Sequence, residues 1–148
     1  MQRLWLGIVV VLVTGHGALA EHRPNLVPAG WIEISKNPET KTRKFQSPDG
    51  WITLVTQQSR ANPLNLAADL NEIANRRGEI ITYQRRGSTW IAVSGYRSDN
   101  IFYRKSNLAC GGTRWNNVEF LYPRAEKQRM DSVVTSVARN MTRYARDC

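Results

Sequence analysis

Ile80-Ile81-Thr82-Tyr83-Gln84 opens a series of four β-rich runs, and the spacing of that series decides the fold. The other runs are residues 89–96, 101–108 and 115–122. Arg86-Gly87-Ser88, Ser98-Asp99-Asn100 and Cys110-Gly111-Gly112 separate them. Breaks this short join antiparallel neighbours, because a parallel crossover needs a dozen or more residues. The series therefore reads as a four-stranded antiparallel meander that Pro123 closes.

Upstream, Asn62-Pro63 suits a helix start, since asparagine caps and proline is tolerated at the first helical position. Leu66, Leu70, Ile73 and Ala74 then form one apolar stripe, and Arg76-Arg77-Gly78 reads as the end. Earlier still, Trp31-Ile32-Glu33-Ile34 alternates as a short strand, and residues 36–41 read as a polar loop. Residues 42–46 are a second strand candidate. Ser47-Pro48-Asp49-Gly50 is a turn, and residues 51–57 form a strand with β-formers on both faces. Downstream of Glu126 the period becomes helical, with Met130, Val133, Val134, Val137, Ala138, Met141 and Tyr144 on one face. The expected class is α+β: an antiparallel sheet of about six strands packed with two main helices.

The first residues read differently. Arg3 precedes an apolar stretch from Leu4 to Val13, and Ala18-Leu19-Ala20 supplies the small residues that a signal peptidase reads. Residues 1–20 are expected to be a secretory signal, cut between Ala20 and Glu21. The apolar stretch is too short to cross a hydrocarbon core that needs roughly twenty residues. Residues 21–30 form a lead-in and residues 31–148 a single domain, with no transmembrane segment in the mature chain. The predicted location is periplasmic or secreted. In an oxidising space the two cysteines, Cys110 and Cys148, are expected to pair and staple the C-terminal helix to the sheet. Loop closure over that span is worth about 4 kcal/mol.

The 148 residues carry 21 Lys+Arg against 12 Asp+Glu, a formal charge of +9, with two histidines. His16 lies in the signal and His22 beside the predicted cut, so triads and histidine-rich metal sites lack their imidazole. The acids are scattered singly, and no aspartate-rich loop suggests calcium. Asp69 and Glu72 share a helix face but read as a solvated surface pair. No catalytic residue, metal or cofactor is expected.

The basic residues are the candidates. Arg85, Arg86, Arg97, Arg104, Lys105 and Arg114 are interleaved with Tyr83, Trp90, Tyr96, Tyr103 and Trp115. Rings stack and guanidinium forks grip phosphate or carboxylate, so this pattern suits anionic ligands. The expected anion-binding set is Arg85, Arg97, Arg104, Lys105 and Arg114, with Tyr103 and Trp115 as platforms. Strand alternation puts Tyr103 and Lys105 on one face, and Phe102 and Arg104 on the other. The competing reading places the rings in the core and the arginines at turns and edges, where charge discourages aggregation. An acidic partner, an anionic glycan or a lipid head group ranks above nucleic acid, which is scarce outside the cell.

Phe45-Gln46-Ser47-Pro48-Asp49-Gly50-Trp51, Ile81-Thr82-Tyr83, Trp90-Ile91-Ala92-Val93-Ser94-Gly95-Tyr96 and Ile101-Phe102-Tyr103-Arg104 resemble segments of small uncharacterised exported proteins of rhizobia and their relatives. So does Phe120-Leu121-Tyr122-Pro123 with the following helix. The resemblance spans about residues 45 to 142 and implies a PsbP-like fold, an antiparallel sheet between helices. It brings no catalytic residue. The resulting expectation is an exported, non-enzymatic binding or interaction module. The alternatives are a small envelope enzyme and a structural accessory subunit of a complex.

Overall fold

A computed structural model describes residues 26–144, with side chains as far as Met141. The predicted signal, its cleavage point, His22 and Cys148 lie outside the described residues.

Seven antiparallel strands form one sheet: β1 (Ile32–Asn37), β2 (Thr42–Gln46), β3 (Thr53–Arg60), β4 (Glu79–Arg86), β5 (Trp90–Arg97), β6 (Asn100–Ala109) and β7 (Arg114–Pro123). Their spatial order is β1-β2-β3-β7-β6-β5-β4, so the expected meander occupies one half. The first three strands dock on the outer side of β7, through the pairing of β3 with β7. Two helices complete the α+β class: α1 (Leu66–Ala74) and α2 (Lys127–Tyr144).

The sheet has seven strands where about six are expected, and the first of them is longer than the short strand read at Trp31–Ile34: Ile32–Asn37 pairs with β2 as a full edge strand. That strand absorbs Lys36 and Asn37, which the polarity of the region assigns to a loop. Charged residues are tolerated there because every residue of an edge strand can face water; all six of β1 are exposed. The helix also starts later than Asn62-Pro63. Asn65 caps α1 by accepting from the Ala68 N–H, while Asn62 accepts from Leu64 within a preceding turn. The Asp69 carboxylate takes the Asn62 N–H at 2.7 Å and locks that turn ahead of the helix. At the other end α1 stops at Ala74, and Arg76 to Gly78 lead into β4.

The helices cover opposite faces. α2 lays Met130, Val134, Val137 and Met141 on Phe45, Leu54, Ile101, Val118, Phe120 and Tyr122. α1 lays Leu70 and Ala74 on Ile91, Val93, Phe102 and Trp115. Each face follows from period-two alternation. On β6, Ile101, Tyr103 and Lys105 face α2, whereas Phe102 and Arg104 face α1. β3, which carries β-formers on both faces, has only Leu54 fully inside. A 3-10 turn, Cys110–Gly112, joins β6 to β7 with three successive left-handed residues, two of them glycines that adopt this backbone without strain.

Candidate functional site

On the α1 face, Arg104 is opposite Glu119 in the β6–β7 register. Its side chain is 1% exposed and lies between two carboxylates, with Nη2 2.9 Å from Glu79 Oε2 and Nη1 3.3 Å from Glu119 Oε2. Nε and Nη2 also donate to the Ile73 and Ala74 carbonyls at the C-terminal end of α1. Arg97 bridges the same two carboxylates, and Arg76 holds Glu119 at 2.6 Å from the loop after α1. Phe102 lies under both the Arg104 and Arg97 guanidiniums. Burial pushes the Glu79 carboxyl up, but the hydrogen bonds and charges of Arg104 and Arg97 more than offset this, so it titrates below 4.5. Glu79 is therefore ionised at neutral pH and has no proton to give. Through Arg104 it closes α1 onto the sheet.

Trp115 belongs to the same face. Its ring is 1% exposed, and Nε1 donates to Asp69 Oδ2 at 2.8 Å. Asp69 therefore serves Trp115 and Asn62, and is not the free member of an acid pair with Glu72. Beside α1 runs a cleft of ≈390 Å³ lined by Ser59, Arg60, Asp69, Glu72, Asn75 and Asn117, among others. Asn117 is tied to Ser59 and Ser106.

The opposite face differs where it extends past α2. Three rows cross β4, β5 and β6 in register: Arg85, Ala92 and Lys105; Tyr83, Ser94 and Tyr103; Ile80, Tyr96 and Ile101. Lys105 Nζ donates to the Ala138 carbonyl of α2 and lies 5.9 Å from the Trp90 ring centre. Arg124 stacks on Tyr96 at 4.0 Å. Burial lowers the Lys105 pKa and raises that of Tyr103 to about 12, with Tyr83 and Tyr122 adding to the tyrosine's shift. Toward the edge the rows open to solvent: Ile80 is 67% and Tyr83 46% exposed.

A β-bulge shapes this strip. The β4–β5 register shifts between Ile81 and Tyr83, so Ile80 and Tyr83, an odd number of residues apart, share one face with Arg85. Gly95 permits it, since a Cβ there would lie 1.9 Å from the Ile80 carbonyl oxygen.

The arginines expected to converge are thus divided. Arg85, Tyr103 and Lys105 lie on the α2 face; Arg97, Arg104 and Trp115 lie on the α1 face. Arg114 begins β7, opposite Arg60 and Ala109, three strands from β4. Arg104 and Trp115 are corrected most, because alternation turned them inward and acids met them there. The composition does not reveal that Ile80 stays exposed or that Arg124 reaches Tyr96. The only available signals were an Ile beside a run of arginines and a cation directly after Pro123.

No protein-family model matches the chain, and no match to it was found among curated proteins. The resemblance to exported rhizobial proteins therefore gains no family support. A solved structure to which the chain is similar is LpqN, involved in cell envelope biogenesis of Mycobacterium tuberculosis. The TM-score is 0.48 at 11% identity, over 76% of this chain and 78% of that one. Among the described residues, no group of three His, Cys, Asp or Glu could hold a metal ion, and no helix is long and apolar enough to cross a membrane.

Proposed function

We propose that the protein is an exported binding module without catalytic machinery, and that it contacts an acidic partner through the strip of β4 and β5 beside α2. The observation that carries this reading is the unspent basic and aromatic surface there. Arg85 is exposed beside Tyr83, and Arg124 lies on Tyr96, with no carboxylate bonded to either arginine among the described residues. Glu79 and Glu119 on the α1 face, by contrast, are held by arginines, which argues against an envelope enzyme using them as an acid–base pair. Export rests on the layout of residues 1–20, and a bond from Cys110 to Cys148 would tie the C terminus to the β6–β7 turn.

The test is retention on polygalacturonate as salt rises through about 0.15 M, where the screening length is near 8 Å. An Arg85→Ala, Arg124→Ala double variant should lose about fivefold or more in affinity. Lys36→Ala with Lys44→Ala, the same charge removed near β1, should lose less than about twofold. Equal losses would show diffuse attraction and reject the site.

A further inference from the structure

We propose that β4 is the docking edge for an extended acidic segment of a partner protein, which adds as an eighth strand and rests apolar side chains on Ile80 and Tyr83. This rests on the surface assigned above and names its ligand class.

β4 is the last strand of the sheet and pairs only with β5 among the described residues, so its outer edge has no strand partner there over eight residues. Such an edge is a template for another strand. Bulges commonly twist an edge away from pairing, but this one has a second effect. It turns Ile80, Tyr83 and Arg85 to a single face and leaves two large apolar side chains in water. The other edge makes the contrast. The β1 bulge between Glu33 and Ser35 aligns Ile32 with Ser35, and Glu33 is spent on Arg43. β1 also leaves Ile32 and Ile34 exposed, but Glu33 and Lys36 lie among them with opposite charges; of the two edges, β4 is the one that joins exposed apolar side chains to flanking cations with no outward acid.

Charge selects the occupant. Arg77 precedes the strand and Arg85 and Arg86 end it, all exposed, whereas its one acid, Glu79, is turned inward to Arg104 and Arg97. A second copy pairing antiparallel by the same edge would bring its Arg85-Arg86 end against the first copy's Arg76-Arg77 end, and like charges repel. A segment with acids flanking apolar residues meets cations at both ends and Ile80 and Tyr83 between them. Ile80 offers nothing to a sugar acid or a phosphate, but it fits an apolar peptide side chain.

The experiment uses the mature chain and a labelled dodecapeptide alternating Glu and Val, read by fluorescence anisotropy. Its comparators are the same peptide with alternate amides N-methylated, polygalacturonate, and vesicles containing phosphatidylglycerol. The Glu/Val peptide should bind tightest. N-methylation, and separately the Ile80→Ser, Tyr83→Ser double variant, should each weaken it about tenfold. Both side chains are exposed, so an unchanged thermal midpoint will confirm that the double variant is folded. Equal binding of the N-methylated peptide overturns strand addition. So does tighter, Ile80- and Tyr83-independent binding of polygalacturonate or vesicles, which would leave the anionic surface standing. No binding of any probe at low salt overturns both readings.

Discussion

Arg104 and Lys105 are neighbours on β6, yet they belong to different regions of the molecule. Arg104 faces α1, meets Glu119 across the strand pair and Glu79 from β4, and is sealed at 1% exposure. Lys105 faces α2, meets Ala92 and Val118 across the pairs, and ties its ammonium to a helix carbonyl. The same composition, cations interleaved with rings, thus gives an internal clamp on one face and an open basic strip on the other. The deciding factor is what stands opposite in the register. A cation facing an acid on the covered side becomes part of an ion-pair clamp, and one facing apolar neighbours beside the helix turns to a backbone carbonyl instead.

The sharpest way to break this comparison is to truncate both residues. Arg104→Ala leaves Glu79 buried beside a single remaining arginine and strips two carbonyls of their donors, which should cost about 3–5 kcal/mol. Lys105→Ala loses the hydrogen bond to Ala138 and part of a stem near Trp90, which should cost about 1 kcal/mol. Denaturant midpoints of the two variants measure the difference. Similar losses would show that the two faces are held alike.

How far the sequence foretold these regions follows from what each feature depends on. The four runs of the meander and the stripe of α2 are local patterns, and Ser98-Asp99-Asn100 or Cys110-Gly111-Gly112 punctuate them plainly. Parity was legible too, since Phe102 and Arg104 had to oppose Tyr103 and Lys105. Partner identity was not. That Arg104 meets Glu79 from 25 positions away depends on β4 pairing with β5, and on α1 returning across the sheet. The start of α1 was misread because Asn62 and Asn65 are equally good caps, and the choice falls to Asp69 seven residues beyond Asn62. The bulge leaves no residue signature at Thr82; its trace is on the neighbouring strand, at Gly95.

Gly95 sharpens the comparison, because it lies where the two regions meet. Gly95→Ala forces a methyl group against the Ile80 backbone, so β4 must move away. The expected loss is about 1–3 kcal/mol, smaller than for Arg104→Ala because an edge strand can shift outward. Hydrogen exchange should show the β4 amides losing protection first, while β6 and β7 keep theirs. Uniform loss across the sheet would mean that β4 is not a separable edge.

The smallest effect separates the faces by pH. The Glu79 pKa is lowered in the fold, so its contribution is fully present above the ordinary value of 4.5 and is lost as pH falls through the folded value. The Tyr103 pKa is raised from 10.0 to about 12, so its contribution is fully present below 10.0 and is lost as pH climbs toward 12. Glu79 thus adds to the acid limb from the α1 face, alongside Asp49 and Glu33 elsewhere, whereas Tyr103 and Tyr122 place the alkaline limb on the α2 face. Solvent reaches part of the Tyr103 ring, which reduces a two-unit shift to about 1 kcal/mol across the alkaline window. Tyr103→Phe should therefore flatten the alkaline limb of the stability curve and leave the acid limb intact. Loss of both limbs in this variant would show that the two faces titrate as one unit.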